Sequence, residues 1–324
     1  MSDLAWLDRA AALAAPWMTF PNPRVGCVIV DDHGTVVGEG AHQLAGEAHA
    51  EVNALTAAGE RARGATAYVT LEPCNHHGRT GPCSLALITA GVRRVVIAVA
   101  DPNMRAAGGA ERLRAAGVQV DFLACPAAEA VNEHWLHAVR HQRPFVTLKL
   151  ATSLDGRIAA ATGQETAISN AASRLRVHQL RARVDGVLVG TNTAVVDDPE
   201  LTVRLIEAQK QPWRLVVGLR ELPRDLRMFK GPGPARQIFA HDPHDVMEAL
   251  QFLEIRHVLV EGGATVARAF LEAGLVDECI WITAPMVLHQ GPHALGAPAF
   301  MEVKRWRRVG TADVAGDLWS YLRP

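Results

Sequence analysis

Three side chains that bind soft or borderline metal ions, His49, Cys74 and Cys83, constrain the fold of this chain more than any other feature. They lie far apart in the chain, so a rigid frame has to deliver each of them to one point from the end of an element. His49 stands in His49-Ala50-Glu51 at the start of a predicted helix, and Cys74 follows a strand predicted over Ala65–Leu71. Cys83 comes after Pro82, in the first turn of a helix predicted over Ser84–Ala90 and closed by Gly91. Strand ends and helix starts are where open α/β sheets place their ligands. One imidazole and two thiolates suit a zinc ion that keeps a fourth position open, which is the catalytic pattern.

Glu51 is poorly placed to share such an ion and well placed to move a proton. A lone His or Cys is more often structural than a ligand, but His-x-Glu followed by two Pro-Cys pairs is a three-part signal that zinc deaminases carry. In that chemistry Glu51 takes a proton from water and returns it to the departing amine. Eight residues separate the cysteines, more than in the short P-C-x-x-C form. The polar insert Asn75–Pro82 is expected to wall the substrate pocket. A structural zinc would want a fourth ligand, for which His76 or His77 could serve, but that reading leaves Glu51 without a role.

The remaining pattern is that of two α/β domains. An amphipathic helix opens the chain with Ser2 or Asp3 as its cap and ends before Pro16, and strands follow at Val25–Val30 and Thr35–Gly40. The helix from His49 is expected to turn Val52, Leu55 and Thr56 inward. Strands are expected at Arg94–Ala100 and Val118–Leu123 around a helix near Glu111–Ala116, and Pro126–Arg140 reads as one long helix. The polar, proline-ended run His141–Pro144 sets a boundary, giving domains 1–143 and 144–324. In the second, strands are predicted at 145–150, 186–190, 213–217, 237–240, 257–260 and 278–282, and helices at 171–183, 244–253 and 265–273. Lys230–Pro234 reads as a surface loop.

With 324 residues, 49% hydrophobic and 21% charged, the chain can bury two cores. A net charge of -1 and 5% aromatic residues give no basic footprint for nucleic acid, which disfavours a base-flipping deaminase. No signal segment and no bilayer-length apolar run is read, so a cytoplasmic protein without a membrane partner is expected. Cys27, Cys125 and Cys279 read as small buried hydrophobes, and no disulfide is expected.

Thr19–Gly26, Gly38–Glu51, Tyr68–Pro82 and Asp101-Pro102-Asn103 resemble the bifunctional deaminase/reductase family of riboflavin biosynthesis, RibD. Leu148–Ala159, Leu188–Arg204 and Val260–Glu278 continue the match through the second half. The resemblance implies an N-terminal cytidine-deaminase-like α/β/α domain and a C-terminal α/β domain similar to dihydrofolate reductase. It implies zinc-dependent removal of the 2-amino group of 2,5-diamino-6-(5-phosphoribosylamino)pyrimidin-4-one, then NADPH reduction of the ribosyl group to ribityl. By the same carry-over Asn22, His42 and His76 touch the first substrate. Lys149, Asp155, Arg181, Leu201, Arg204 and Glu261 face the second, and Ser153, Thr193, Asp197, Gly263, Ala264 and Thr265 face the cofactor. A homo-oligomer, dimer or tetramer, belongs to the same expectation.

The second half departs from the family at Glu165 and Ala167, where a serine and a tryptophan are usual, at Gly218-Leu219, and at Met286. These departures open an alternative, a deaminase whose second domain has lost NADPH chemistry and serves as a scaffold. A non-catalytic zinc protein is the remaining class.

Overall fold

Ser2 accepts the amide of Ala5 and so caps α1 (Asp3–Ala14), whose buried face is Trp6, Leu7, Ala10, Ala11 and Ala14. The computed structural model describes residues 1–76, 81–296 and 305–324 and separates into the units Met1–Gln142 and Arg143–Pro324. In the first unit β1 (Gly26–Val30) and β2 (Val36–Ala41) form the expected antiparallel pair. Then come α2 (Ala50–Ala58), β3 (Thr66–Val69), α3 (Cys83–Ala90), β4 (Arg94–Ile97), α4 (Gly109–Ala115) and β5 (Gln119–Phe122). The sheet runs β2-β1-β3-β4-β5, with β3, β4 and β5 parallel. Alternate strand residues feed two cores. Cys27, Ile29, Val69, Val95 and Ile97 meet α2, α3 and α4 on one face, and Val28, Val30, Tyr68 and Val96 meet α1 on the other.

Two sequence expectations fail here for physical reasons. The buried face of α2 is Ala50, Glu51, Ala54 and Ala58, whereas Val52 and Leu55 are only half-buried and Thr56 is exposed. The helix lies so close on β2 that a Cβ on Gly38 would stand 2.2 Å from the Ala54 carbonyl oxygen, and one on Gly40 2.4 Å from that of Ala50. Small residues therefore face inward because only they fit, and the larger apolar ones are displaced to the flank. The helix read over Pro126–Arg140 is two, α5 (Pro126–Val131) and α6 (Glu133–His141). Buried Asn132 breaks it, accepting from the Arg24 amide at 2.8 Å and donating to the Arg24 carbonyl at 2.7 Å.

The second unit comprises β6 (Phe145–Thr152), α7 (Ala171–Arg181), β7 (Gly186–Gly190), α8 (Thr191–Val196), β8 (Trp213–Val217), α9 (Arg227–Lys230), β9 (Ala235–Ile238), α10 (Pro243–Phe252), β10 (His257–Val260), α11 (Ala264–Glu272), β11 (Glu278–Thr283), β12 (Arg307–Val314) and β13 (Asp317–Arg323). Its eight-stranded sheet runs β12-β13-β11-β6-β10-β7-β8-β9. The stretch from β11 to β9 is parallel, and β13 and β12 add an antiparallel hairpin at one edge. That hairpin was not expected, because β12 is largely exposed and carries no apolar run. Its turn, Ala315-Gly316 with φ of 52° and 97°, is the tight two-residue connection that favours hairpins. Among the described residues no helix is long and apolar enough to cross a membrane.

Candidate active sites

In the first unit three element ends converge as the ligand pattern requires. His49 is the N-cap residue of α2, Cys74 follows β3, and Cys83 is the first residue of α3. The Nδ1 atom of His49 lies 3.3 Å from the Cys83 sulfur and 3.6 Å from the Cys74 sulfur, and the three ligand atoms lie within 4.8 Å of one another. A tetrahedral zinc ion with bonds of about 2.3 Å to sulfur and about 2.05 Å to nitrogen sets N and S about 3.6 Å apart, so the donor set fits the ion. Among the described residues this is the only such cluster of His, Cys, Asp and Glu. Hydrogen bonds from the Cys83 thiol and amide, and from His49, hold the Cys74 thiol well below its usual range, which favours the thiolate a metal needs.

Glu51 is 3% exposed, and its Oε2 has no hydrogen-bond partner. Burial, with the Cys74 thiolate nearby, pushes its pKa up to about 6. A buried carboxylate oxygen with nothing to bind is costly unless the site is built to receive a ligand proton there. Beside it His42 is buried and kept neutral, chiefly by burial. Its Nδ1–H donates to the Ala48 carbonyl at 3.1 Å, which leaves Nε2 to accept from the Asn22 amide at 3.1 Å. The ring stands edge-on to His49 with centroids 5.1 Å apart, so Asn22, His42 and His49 form one wall. His76 is exposed and outside the ligand cluster, while His77 and the rest of the insert to Thr80 lie outside the described residues.

Sequence reasoning missed Glu72. Its carboxylate accepts from the amides of Asp101, Gly108 and Ala110 at 3.2, 3.2 and 3.0 Å, tying the loop after β4 and the start of α4 beneath Cys74. Gly109 packs against Pro73 so tightly that a Cβ would stand 1.8 Å from the Pro73 carbonyl oxygen. Asp101, next to this carboxylate, has its pKa raised to about 6, mostly by burial. A glutamate directly before Pro73-Cys74, at a strand end, was the available signal.

In the second unit the candidate residues gather at the C-terminal ends of β6, β7 and β10. Glu261 follows β10 and is the hub. Arg181 of α7 grips it through Nε at 2.5 Å and its second terminal nitrogen at 3.0 Å, and Lys149 of β6 stands 3.5 Å away. Burial alone would raise the Glu261 pKa, but Arg181 and Lys149 outweigh it and hold the group at about 2. The remaining Arg181 nitrogen donates to the Thr202 carbonyl at 3.2 Å, so its fork is committed within the protein, whereas Arg204 is substantially exposed. Leu201 is fully buried. Ser153 donates to Asp155 at 2.7 Å, and Asp155 accepts from the amides of Leu288 and His289 at 3.1 and 2.9 Å; the two pin loops together.

Gly263 has φ of 76°, and a Cβ there would stand 3.1 Å from the Thr193 hydroxyl. It opens α11 at Ala264-Thr265, so bare backbone faces Thr193 across a narrow cradle that suits a phosphate. Asp197 ends α8, and burial, with Glu165 adding repulsion, raises its pKa.

Residues 144–318 match the RibD C-terminal domain, and residues 1–99 match the cytidine and deoxycytidylate deaminase zinc-binding region. The riboflavin biosynthesis protein RibD of Mycobacterium tuberculosis is 46% identical over 309 residues, which cover 93% of this chain and 90% of that one. The chain belongs to the RibD family. A solved RibD of Acinetobacter baumannii is similar over 99% of this chain and 98% of its own, with a TM-score of 0.91 and 38% identity. A Thermotoga maritima diaminohydroxyphosphoribosylaminopyrimidine deaminase/5-amino-6-(5-phosphoribosylamino)uracil reductase superposes with a TM-score of 0.89 at 30% identity, over 99% of this chain and 98% of its own. The fold is accordingly that of RibD, a cytidine-deaminase-like domain followed by a reductase domain, and the chain is a bifunctional zinc-dependent deaminase and reductase of riboflavin biosynthesis. Zinc and NADPH are its cofactors.

Proposed function

We propose that residues 1–143 deaminate 2,5-diamino-6-(5-phosphoribosylamino)pyrimidin-4-one and that residues 144–324 reduce the ribosyl group of the product. The observation that carries the first step is the buried Oε2 of Glu51, without a partner, beside a three-ligand cluster. When bound by His49, Cys74 and Cys83, zinc supplies the Lewis acidity that makes water a nucleophile near neutral pH. Glu51 takes the proton from that water and delivers it to the leaving amine, a task suited to a carboxylate with a pKa near 6. Asn22, held by His42, contacts this substrate together with His42 and His76.

For the second step, NADPH supplies hydride, and Thr193, Asp197 and Gly263-Ala264-Thr265 hold it. Arg204 meets the substrate phosphate, and with the Leu201 side chain anchored in the core, the main chain at Leu201 borders the substrate. Glu261 with Lys149 orients the sugar hydroxyls. Arg181, Ser153 and Asp155 act by fixing these groups in place, since their hydrogen bonds run to protein partners. Five free cysteines fit a reducing, cytoplasmic compartment. A homo-oligomer belongs to the same proposal, and light scattering on the purified chain measures it.

The deciding experiment supplies the diaminopyrimidine with NADPH and follows ammonia and NADPH together. Both signals in equal amounts support the proposal; ammonia without NADPH oxidation would leave the second unit a scaffold.

A further inference from the structure

The segment between α8 and β8 from Asp198 to Arg204 lies outside helix and strand, and two of its residues are left-handed, Asp198 at φ 38° and Leu201 at φ 56°. A bulky residue such as leucine rarely holds that conformation unless its surroundings impose it. Here side chains impose it. Leu201 is sealed in a core with Val187, Val189, Val216 and Met228. Arg181 takes the Thr202 carbonyl at 3.2 Å, and the Gln211 amide takes both the N–H and the carbonyl of Val203 at 2.8 and 2.9 Å. The last residue, Arg204, donates its amide to Nδ1 of His178 at 3.1 Å.

His178 lies on α7 one turn before Arg181 and is 5% exposed. For Nδ1 to accept, the ring has to be neutral with its proton on Nε2. Its surroundings enforce this, because burial first, and then the Arg181 and Arg204 cations, push its pKa down to about 4. One helix thus carries both the arginine that clamps Glu261 and Thr202 and the imidazole that fixes the amide of Arg204.

We propose that His178 is a positioning residue for the reductase step, holding Leu201 and Arg204 in register with Glu261 through the bond from the Arg204 amide to its Nδ1. The inference rests on the assignment of Leu201 and Arg204 to the substrate.

The test uses the full chain and measures ammonia release, reductase kcat and KM on the deaminated substrate, and NADPH binding by fluorescence. His178→Phe keeps an aromatic ring and removes the acceptor. It is expected to raise the reductase KM about tenfold with kcat nearly unchanged and with ammonia release and NADPH binding intact. His178→Asn places an amide oxygen near the position of Nδ1 and is expected to return KM to within about twofold of the parent. An unchanged KM in H178F, or an H178N variant as impaired as H178F, overturns the proposal. If H178F loses NADPH binding through misfolding, His178→Gln decides, since its acceptor sits one bond too far out: a raised KM supports the role and a parental KM overturns it. Arg204→Ala tests the underlying assignment separately, because a parental KM there removes Arg204 from the substrate site whatever His178 does.

Discussion

Glu51 and Glu261 are both buried glutamates at the ends of elements, one in each unit, and their surroundings drive them in opposite directions. Glu51 has a pKa of about 6, raised by burial and by a neighbouring thiolate, and one of its oxygens has no partner. Glu261 is held at about 2 because Arg181 and Lys149 overcome the same burial. The first is poised to exchange a proton, and the second is a fixed anion around which cations are arranged. A site that moves protons is left electrostatically incomplete by the protein, whereas a site that only orients its ligand is completed by it.

The sharpest way to break this contrast is to remove the proton carrier. Glu51→Gln is expected to lower ammonia release by about 1,000-fold or more, in line with general acid–base contributions of roughly 10²–10⁴. Zinc content by elemental analysis and NADPH oxidation on pre-deaminated substrate are expected to stay at parental levels. A variant that loses its metal would instead make Glu51 a ligand. Stripping zinc with a chelator is expected to abolish ammonia release while sparing reduction of the deaminated substrate, and a parallel loss of reduction would show that the two steps share the metal.

The fixed anion is tested by stability. Because the folded pKa of Glu261 is depressed from 4.5 to about 2, its contribution is fully present above about pH 4.5 and is lost as pH falls toward 2. The size follows from the shift and is on the order of 3 kcal/mol. Glu261→Gln leaves buried Arg181 and partly buried Lys149 without their counter-charge and is expected to destabilise the second unit by about 3–5 kcal/mol at neutral pH, read from denaturant midpoints. Ammonia release is expected to survive this change, and its loss would show that the units do not fold independently.

What was legible in the sequence followed chemistry that few residue types can perform. His49, Glu51, Cys74 and Cys83 could be named because metal and proton chemistry restrict both residue type and placement. Most strands could be placed because parallel strands buried on both faces read as short apolar runs. The inward face of α2 was hidden because close approach to Gly38 and Gly40 selects small residues, and periodicity counts hydrophobicity rather than size. Glu72 was hidden because its role is to receive three backbone amides, which no local pattern reports. Arg181 was expected to face the second substrate, and only the fold shows its fork bound to Glu261 and Thr202.

Close packing supplies a gentler probe of the first site. A Cβ on Gly40 would press on the first turn of α2, which carries Glu51 and follows His49. Gly40→Ala is expected to cost about 1–3 kcal/mol in overpacking and to reduce ammonia release beyond the loss of folded protein, with NADPH oxidation unchanged. Ammonia release that merely tracked the folded fraction would show that α2 can shift without disturbing the ligands.

The smallest expected effect tests the same idea from further away. Asn132 joins the break between α5 and α6 to both backbone groups of Arg24, two residues beyond Asn22. Asn132→Ala removes both bonds, at a cost of about 1–3 kcal/mol, offset in part by the higher helix propensity of alanine, so a net loss of roughly 1–2 kcal/mol is expected. If the Arg24 tether sets where Asn22 stands, the deaminase KM rises severalfold while kcat and zinc content hold, because Glu51 and the ligands are anchored by other elements. A fall in kcat without a change in KM would reverse that division, making the wall formed by Asn22 and His42 part of the proton-transfer geometry rather than of substrate placement.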